Sequence, residues 1–466
     1  MLPSRKELIG FTLLFVTFFG FAFVNKSTFD TGDSINHYLI SRYSWQHPAL
    51  FFNHWGKPLF TIISSPFSQF GFIGIQFFNI LVSVLSGYYV YKSGKKLGYT
   101  ISYFPLVLLF TATDYFLCMY SGLTEPLFGL VLIMSFYLVL EGKFFTAALV
   151  LSFLPFIRSE GNIILIVFAV YFIFIKKYFH VLLLSVGTII ISIAGYPIYK
   201  TVTWVFTSNP YTTKFDNYGK GELLHYVKQF PFVAGLFYTV ILVIGVIYFL
   251  NKNLKIDSKG IANYNREIIL LAFGSFFAYF ISHSIFWWQG LFHSYGMTRV
   301  LVAILPIGSI LCLGPIDALL KKWPNKYILP VLSISMIGFS FSGNKSGFNL
   351  QKDFSLSPTL ALAIEMNDWY KLNYPTSSLI IAAPHLAYIM NKDCFDHKQC
   401  TDMLILKNEF PKEKLIIWDN WIAVMEFGIT DKELDSMKKL RLIKIFGNGN
   451  DTLKVYGSNE EFEIKN

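Results

Sequence analysis

The side chains of this chain that could do chemistry lie in the polar links between long apolar segments. A carboxylate can accept a proton, an arginine suits bidentate contacts to phosphate, and a lysine makes a point-charge contact. Together they would suit a reaction on a substrate that carries a phosphate. The candidate residues are Asp30, Asp33, His37, Lys57, Asp114, Glu125, Arg158, Glu160, His293 and Arg299.

Several of these residues also have a purely structural interpretation. Asp30 and Asp33 precede a helix-like segment and could simply cap it. Glu125 stands at a predicted helix start, where a carboxylate suits the helix dipole. Lys57 and Arg158 could be interface cations whose charged ends reach water. The sequence leaves both interpretations open.

The composition indicates a membrane protein. The 466 residues are 54% hydrophobic and 15% charged, whereas soluble domains carry about a quarter charged residues. The formal net charge is +10, but the basic residues lie between apolar runs and form no single basic stripe. We therefore expect no nucleic-acid partner.

Long apolar runs predict a polytopic α-helical membrane protein with about eleven transmembrane helices. Basic residues concentrate in alternate links, which places the N-terminus inside and the C-terminal part outside. The centres of the runs carry almost no charge, so the candidate residues gather at the outer face. This favours a reaction site at the interface over a proton relay through the midplane. The runs are about 8–24, 71–91, 101–119, 126–141, 144–157, 161–175, 180–199, 232–250, 267–285, 299–318 and 327–343.

Two stretches outside the runs also predict structure. In the first outer link, 25–70, DTGDSINHYLISRYSW and HWGKPLFTIISSPF predict two short helices on the membrane surface. From residue 344 onward, helix-like and strand-like segments alternate. The sequence therefore predicts a transmembrane domain over 1–343 and a small extracytoplasmic α/β domain over 344–466.

The cysteines and histidines bear on disulfides and metals. Cys394 and Cys400 bracket FDHKQ in the predicted outer domain, where an oxidising compartment favours a disulfide over two free thiols. No second pair of zinc ligands follows them, and the histidines at 37, 47 and 54 lack zinc-like spacing. We expect no metal and no other cofactor.

The order of these features resembles the lipid-phosphate-sugar-dependent glycosyltransferases of the C-type membrane fold (GT-C), which include protein O-mannosyltransferases and aminoarabinose transferases. In that family an acidic motif opens the first outer loop, and a Lys-Pro-Pro-Leu-like motif starts its second interfacial helix. GDSINHY and WGKPLF occupy those places here. The family's Thr-Asp-Pro-Leu turn is matched by TEPL at 124–127, and its Arg-x-x-Gly stretch by RSEG at 158–161. The resemblance covers about residues 1–310.

The match has three departures. Ser34 replaces the second acid, His37 stands where an aromatic is usual, and only one proline follows Lys57. No motif can be assigned to the chain after 344.

The resemblance implies an inverting hexosyltransferase at the outer face of a bacterial inner (cytoplasmic) membrane. The donor would be a polyprenyl-phosphate sugar, and the acceptor a hydroxyl of a protein, lipid or glycan. Asp33 would be the general base, and Glu125 would orient the acceptor or share that role. Lys57, Arg158 and Arg299 would bind the donor phosphate. The remaining candidates for this site are Asp30, His37, Asp114, Glu160 and His293.

Two other classes of protein stay open. A flippase for lipids or lipid-linked sugars should show internal repeats and polar residues at mid-membrane depth, and neither is evident in the sequence. A non-catalytic membrane subunit could use the outer domain to bind a partner. Transfer from a purified lipid-linked sugar would separate the enzyme from both.

Overall fold

The computed structural model describes residues 4–101, 103–210, 218–254, 265–407, 414–449 and 451–458. Each predicted apolar run is mostly helical where it is described, because a helix satisfies the backbone hydrogen bonds within the run itself. The helices up to the last run are Arg5–Ala22, Asp33–Tyr43, Pro58–Ser68, Phe72–Lys96, Phe104–Phe110, Thr113–Cys118, Glu125–Leu140, Phe144–Leu151, Gly161–Phe174, Tyr178–Leu183, Val186–Tyr199, Trp204–Thr207, His225–Val233, Leu236–Leu254, Asn265–Glu267, Gly274–Gln289, Leu305–Lys322 and Ile328–Ser340.

Within the described residues, four helical stretches are long and apolar enough to cross a membrane. They are Phe72–Lys96, Tyr178–Tyr199, Ile268–Gln289 and Thr298–Lys322. Other apolar runs form shorter helices, such as Glu125–Leu140. The number of about eleven spans therefore stays a prediction, as does the inside position of the N-terminus.

Several runs are not single regular helices. The run 101–119 is broken at Ala112, whose backbone is extended (φ −70°, ψ 121°). The run 267–285 begins as a π-helix, Ile268–Phe273, and the run 299–318 begins as a 3-10 helix, Thr298–Ile304. Such irregular turns are frequent near functional sites. Here the 3-10 helix carries the candidate residue Arg299.

The helices form an inner and an outer layer. Phe72–Lys96 packs against Glu125–Leu140, and both contact Leu305–Lys322, most of whose residues are buried. Val186–Tyr199 instead exposes Ile189, Ile190 and Ile193. Apolar side chains directed outward suit contact with lipid, which places the inner layer at the centre of the membrane domain.

The two helices predicted for the first outer link are present as Asp33–Tyr43 and Pro58–Ser68. They pack against each other, and Pro58–Ser68 also packs on Phe72–Lys96. Ser41 and Ser64 hydrogen-bond across the pair at 2.8 Å. These helices bring the first link over the ends of the inner layer.

The C-terminal part forms one five-stranded sheet. Its strands are β1 (Ser378–Ile381), β2 (Cys400–Asp402), β3 (Lys414–Asp419), β4 (Leu440–Asn448) and β5 (Asp451–Ser458), in the order β2-β1-β3-β5-β4. β1 pairs in parallel with β2 and β3, and β5 pairs antiparallel with β3 and β4. The helices of this part are Leu350–Asp353, Pro358–Asn373, Pro384–Ile389, Ile422–Met425 and Asp431–Ser436. The small sheet that the sequence predicts is present, and the boundary at residue 344 stays a prediction.

The sheet domain packs directly on the first outer link. The Tyr38 and Tyr388 rings lie edge to face with centroids 5.8 Å apart. His47 Nε2 lies 2.8 Å from Asp393 Oδ2. These contacts hold the C-terminal domain beside the candidate residues.

The predicted disulfide is absent, since Cys394 and Cys400 are both free thiols in the structure. Cys400 starts β2, with its side chain buried in the domain core. Cys394 packs against the same core from the preceding turn. Both thiols therefore pack as small apolar side chains, and their short spacing in sequence is not accompanied by a disulfide bond in the structure.

Candidate active site

A cavity of about 400 Å³ lies where the first outer link meets the ends of the inner helices. Most of the predicted site residues line it, although they come from four separate links. These are Asp33, His37, Lys57, Glu125, Arg158, Glu160, His293 and Arg299. The fold therefore brings together residues that are up to 266 positions apart in the chain, as Asp33 and Arg299 are.

Asp30 and Asp33 have different local roles. The helix that starts at Asp33 has no capping hydrogen bond from its N-cap residue, Gly32. Asp30 Oδ1 instead accepts hydrogen bonds from the backbone N–H groups of Gly32 and Ser34, both at 3.0 Å. Asp30 thus stabilises the helix start, which leaves the Asp33 carboxylate facing the cavity.

Lys57 is held in a constrained position. It directly precedes Pro58, the first residue of the helix Pro58–Ser68. Its backbone φ of 62° is positive, a conformation that residues other than glycine rarely adopt. The residue is 7% exposed, and its Nζ donates a hydrogen bond to Ser159 Oγ at 3.2 Å. Strained backbone positions cluster at ligand sites. The ammonium is therefore fixed beside the 158–160 link.

Carboxylates and guanidinium groups alternate along the cavity wall in what we call the charge ladder: Asp33, Arg299, Glu125, Arg158 and Glu160. Arg299 contacts Asp33, and its Nε lies 3.7 Å from Glu125 Oε1. The same Glu125 oxygen lies 2.6 Å from Arg158 Nη1, and Arg158 Nη2 donates to Glu160 Oε1 at 2.9 Å. Each arginine is thus held between carboxylates, with Arg299 also contacting Asp30.

Burial and neighbouring charges act in opposite directions on the carboxylates at the two ends of the ladder. Burial acts to raise the pKa of Asp33, but the Arg299 guanidinium outweighs it and holds that pKa below its ordinary range. Burial also opposes ionisation of Glu160, yet Arg158 and other nearby cations lower its pKa to about 2. Both carboxylates are therefore ionised at neutral pH.

Burial dominates at three other groups. It raises the pKa of Asp30 against the opposing charge of Arg299. It lowers the pKa of His37 to about 3, so this imidazole is neutral. It lowers the pKa of Lys57 to about 8, although Glu160 favours the charged form. The charge of Lys57 is therefore sensitive to pH near neutrality.

Two candidate residues, Asp30 and Asp114, do not line the cavity. Asp114 follows the break at Ala112, on the short helix Thr113–Cys118, and is not among the lining residues. The neighbouring Thr113 hydroxyl donates to the Ser346 carbonyl at 3.0 Å. The break turns this helix toward the segment that leads into the C-terminal domain. Asp114 therefore does not line this cavity, and its place in the site stays a prediction.

Sequence reasoning missed other lining residues. Glu426 comes from the C-terminal domain and accepts a hydrogen bond from the Tyr218 hydroxyl. The Tyr218 ring stacks on His293, with centroids 4.9 Å apart. Nothing in the sequence connects Glu426 with the membrane links. His283 is another lining residue that was missed. Its position in the apolar run 267–285 could have identified it, because a histidine is unusual in such a run.

No metal centre is built from the part of the chain that the structure describes. No three His, Cys, Asp or Glu side chains group there in a way that could hold an ion. The expectation that the protein needs no metal stays a prediction.

Two solved structures are similar to this chain over almost its whole length. The crystal structure of ArnT from Cupriavidus metallidurans bound to undecaprenyl phosphate superposes with a TM-score of 0.65 at 10% identity, covering 97% of this chain and 98% of that one. The chain has the fold of ArnT. The apo structure of the same ArnT gives a TM-score of 0.60 at 11% identity, covering 96% and 98%. No family model and no curated protein matches the sequence.

The likeness to ArnT extends through the helical part and the C-terminal sheet, since nearly all of both chains is covered. It confirms the GT-C membrane fold that the sequence motifs predicted, and with it an integral membrane protein. At this identity the fold is shared while most side chains differ. The chemistry must therefore be argued from the residues of the cavity.

Proposed function

We propose that this protein is a glycosyltransferase that moves a sugar from a polyprenyl phosphate to an acceptor hydroxyl at the outer face of a bacterial inner membrane. The observation that carries the proposal is the cavity itself. It combines three cationic side chains with an ionised carboxylate, Asp33, at the mouth of a membrane domain. The ArnT structure of the same fold holds undecaprenyl phosphate. A lipid-linked phosphate is the substrate that best fits both facts.

The proposed reaction is a displacement at the anomeric carbon of the donor sugar. The Asp33 carboxylate takes the proton from the acceptor hydroxyl as its oxygen bonds to that carbon. The bond from the anomeric carbon to the phosphate oxygen breaks, and its electron pair leaves with the phosphate. Lys57, Arg158 and Arg299 stabilise the charge that grows there. The products are an inverted glycoside and polyprenyl phosphate.

Glu125 takes a different role in this scheme from the one the resemblance implies. Its side chain is 1% exposed and lies against both guanidinium groups of the ladder. We therefore assign Glu125 to positioning Arg158 and Arg299.

The proposal is tested with the purified full chain in lipid nanodiscs. The donors are radiolabelled undecaprenyl-phosphate-linked mannose, glucose and galactose, and the acceptor is an envelope extract from cells that lack the gene. We expect label to move from one donor into the extract while undecaprenyl phosphate appears. Mass spectrometry of the labelled product identifies the acceptor. If no donor is consumed while loss of the gene still changes the envelope, the flippase or the non-catalytic subunit replaces the enzyme.

Lys57 makes the proposed reaction sensitive to alkaline pH. The Lys57 side chain attracts the donor phosphate only in its charged, protonated form. Burial lowers the pKa of this side chain to about 8. We expect kcat/KM for the donor to fall as pH rises through about 8, because this parameter reports the free enzyme. Lys57→Arg should keep activity to higher pH, since a guanidinium stays charged. If kcat/KM fell at the same alkaline pH in the unaltered protein and in Lys57→Arg, the titrating group would be a residue other than Lys57.

A further inference from the structure

His283 occupies an aromatic recess of the cavity wall. It lies on the helix Gly274–Gln289, and its side chain lines the cavity although the residue is only 4% exposed. The rings of Tyr279, Phe286 and Tyr226 lie 4.5, 5.7 and 6.1 Å from its imidazole, measured between centroids. The imidazole is therefore enclosed by apolar faces on its helix side and open toward the cavity.

One polar atom in this recess, the buried His283 Nε2, has no hydrogen-bond partner among the described residues. The hydroxyl of the buried Tyr279 lies beside the Arg158 guanidinium, and Tyr279 does not line the cavity. The carboxylate nearest to the imidazole is Glu160, whose Oε1 lies 3.5 Å from Nε2. A buried polar group without a partner costs about 1–3 kcal/mol. Such groups in a native cavity indicate that a ligand or ordered water meets them.

The chemistry of these groups selects the kind of ligand. An imidazole nitrogen can accept or donate, and a carboxylate accepts. A sugar hydroxyl both donates and accepts, so adjacent hydroxyls on a sugar ring complement this set. A hydrocarbon would leave the imidazole nitrogen unsatisfied. The aromatic faces suit the apolar side of a sugar ring.

We propose that His283 and Glu160 form the subsite for the sugar ring of the donor, with the Tyr279 ring packed against the imidazole. The subsite adjoins the proposed phosphate site, because Arg158 Nη2 contacts Glu160 at 2.9 Å. A sugar that is bonded directly to the phosphate reaches both. The inference rests on the proposed function and deepens it, since it assigns recognition of neighbouring sugar hydroxyls to residues that the catalytic scheme does not use as base.

The test compares two lipids on the purified full chain in nanodiscs. Undecaprenyl phosphate carries no sugar, and undecaprenyl-phosphate-linked mannose, glucose and galactose carry one. His283→Phe should weaken binding of the preferred sugar-linked lipid by about 10-fold, because phenylalanine fills the recess without hydrogen bonds. Binding of undecaprenyl phosphate should change less than about twofold. His283→Gln, which can still hydrogen-bond, should recover part of the loss.

His180→Phe is the matched control. His180 also lies among phenylalanines, with ring centroids 5.5 Å from Phe172 and 6.0 Å from Phe144, and it does not line the cavity. It should leave the binding of both lipids unchanged.

Three results would overturn the subsite. They are equal weakening of both lipids by His283→Phe, no weakening of either, and equal affinity of the unaltered protein for both. The second result would place the hydroxyl site on the acceptor side. If His283→Phe does not fold, His283→Gln and donors that lack single hydroxyls decide the matter with folded protein. Turnover by the unaltered protein tests the proposed function separately, so the two failures are distinguishable.

Discussion

Asp33→Asn should lower the turnover of the lipid-linked donor by about 10²–10⁴-fold, the usual contribution of a general base. Asparagine keeps the shape of the side chain and removes its ability to take a proton. Asp33 lines the cavity, so the change acts where the acceptor must lie. Turnover is measured with the donor that the transfer assay identifies, and binding of undecaprenyl phosphate should stay within a few-fold of the unaltered protein.

Asp30→Asn is the matched control for this experiment. Both aspartates contact Arg299, but Asp30 Oδ1 is occupied by the backbone N–H groups of Gly32 and Ser34. An asparagine oxygen can accept the same two bonds, so this variant should retain a substantial fraction of activity. If Asp30→Asn were the inactive variant and Asp33→Asn the active one, the base would be Asp30.

Arg158→Ala should combine a large loss of stability with a large loss of turnover. Removing the guanidinium leaves Glu125 and Glu160 buried without the cation that lies 2.6 and 2.9 Å from them. Breaking a buried ion pair from one side typically costs about 3–5 kcal/mol. The thermal unfolding temperature should therefore fall clearly, and turnover of the protein that remains folded should fall by roughly 10²–10³-fold.

A double variant separates the two effects of Arg158. In Arg158→Ala the buried Glu125 carboxylate loses its nearest cation. Adding Glu125→Gln removes that unpaired charge, so the unfolding temperature should recover in part relative to Arg158→Ala alone. Turnover should not recover, because the phosphate contact is still missing. Arg158→Lys should restore only part of the turnover, since lysine lacks the planar fork. Normal turnover in Arg158→Ala would show that the donor phosphate binds elsewhere.

The ladder also corrects a simpler view of these cations. The resemblance implies only that Lys57, Arg158 and Arg299 bind the donor phosphate. In the structure each arginine is also a structural partner of buried carboxylates. A phosphate that enters the cavity must therefore share the guanidinium groups with those carboxylates.

The sequence by itself determined the kind of protein and the outline of its fold. Apolar runs can lie in lipid only as helices, so their positions predicted the helical elements. The motifs GDSINHY and WGKPLF predicted two short helices in the first link and placed Asp33 and Lys57 at their starts. Alternation of side chains along short segments predicted most of the C-terminal strands. These are local properties, and local patterns suffice to predict them.

Only the tertiary structure decided which polar residues meet. Asp33 pairs with Arg299 across 266 positions, and Glu426 reaches the cavity from a separate domain. The helix that carries Asp114 begins after the break at Ala112 and does not line the cavity, and Cys394 and Cys400 are free thiols. A motif fixes the spacing of neighbours along the chain, whereas these contacts depend on how distant helices pack and turn. For that reason the charge ladder and the His283 recess became visible only in three dimensions.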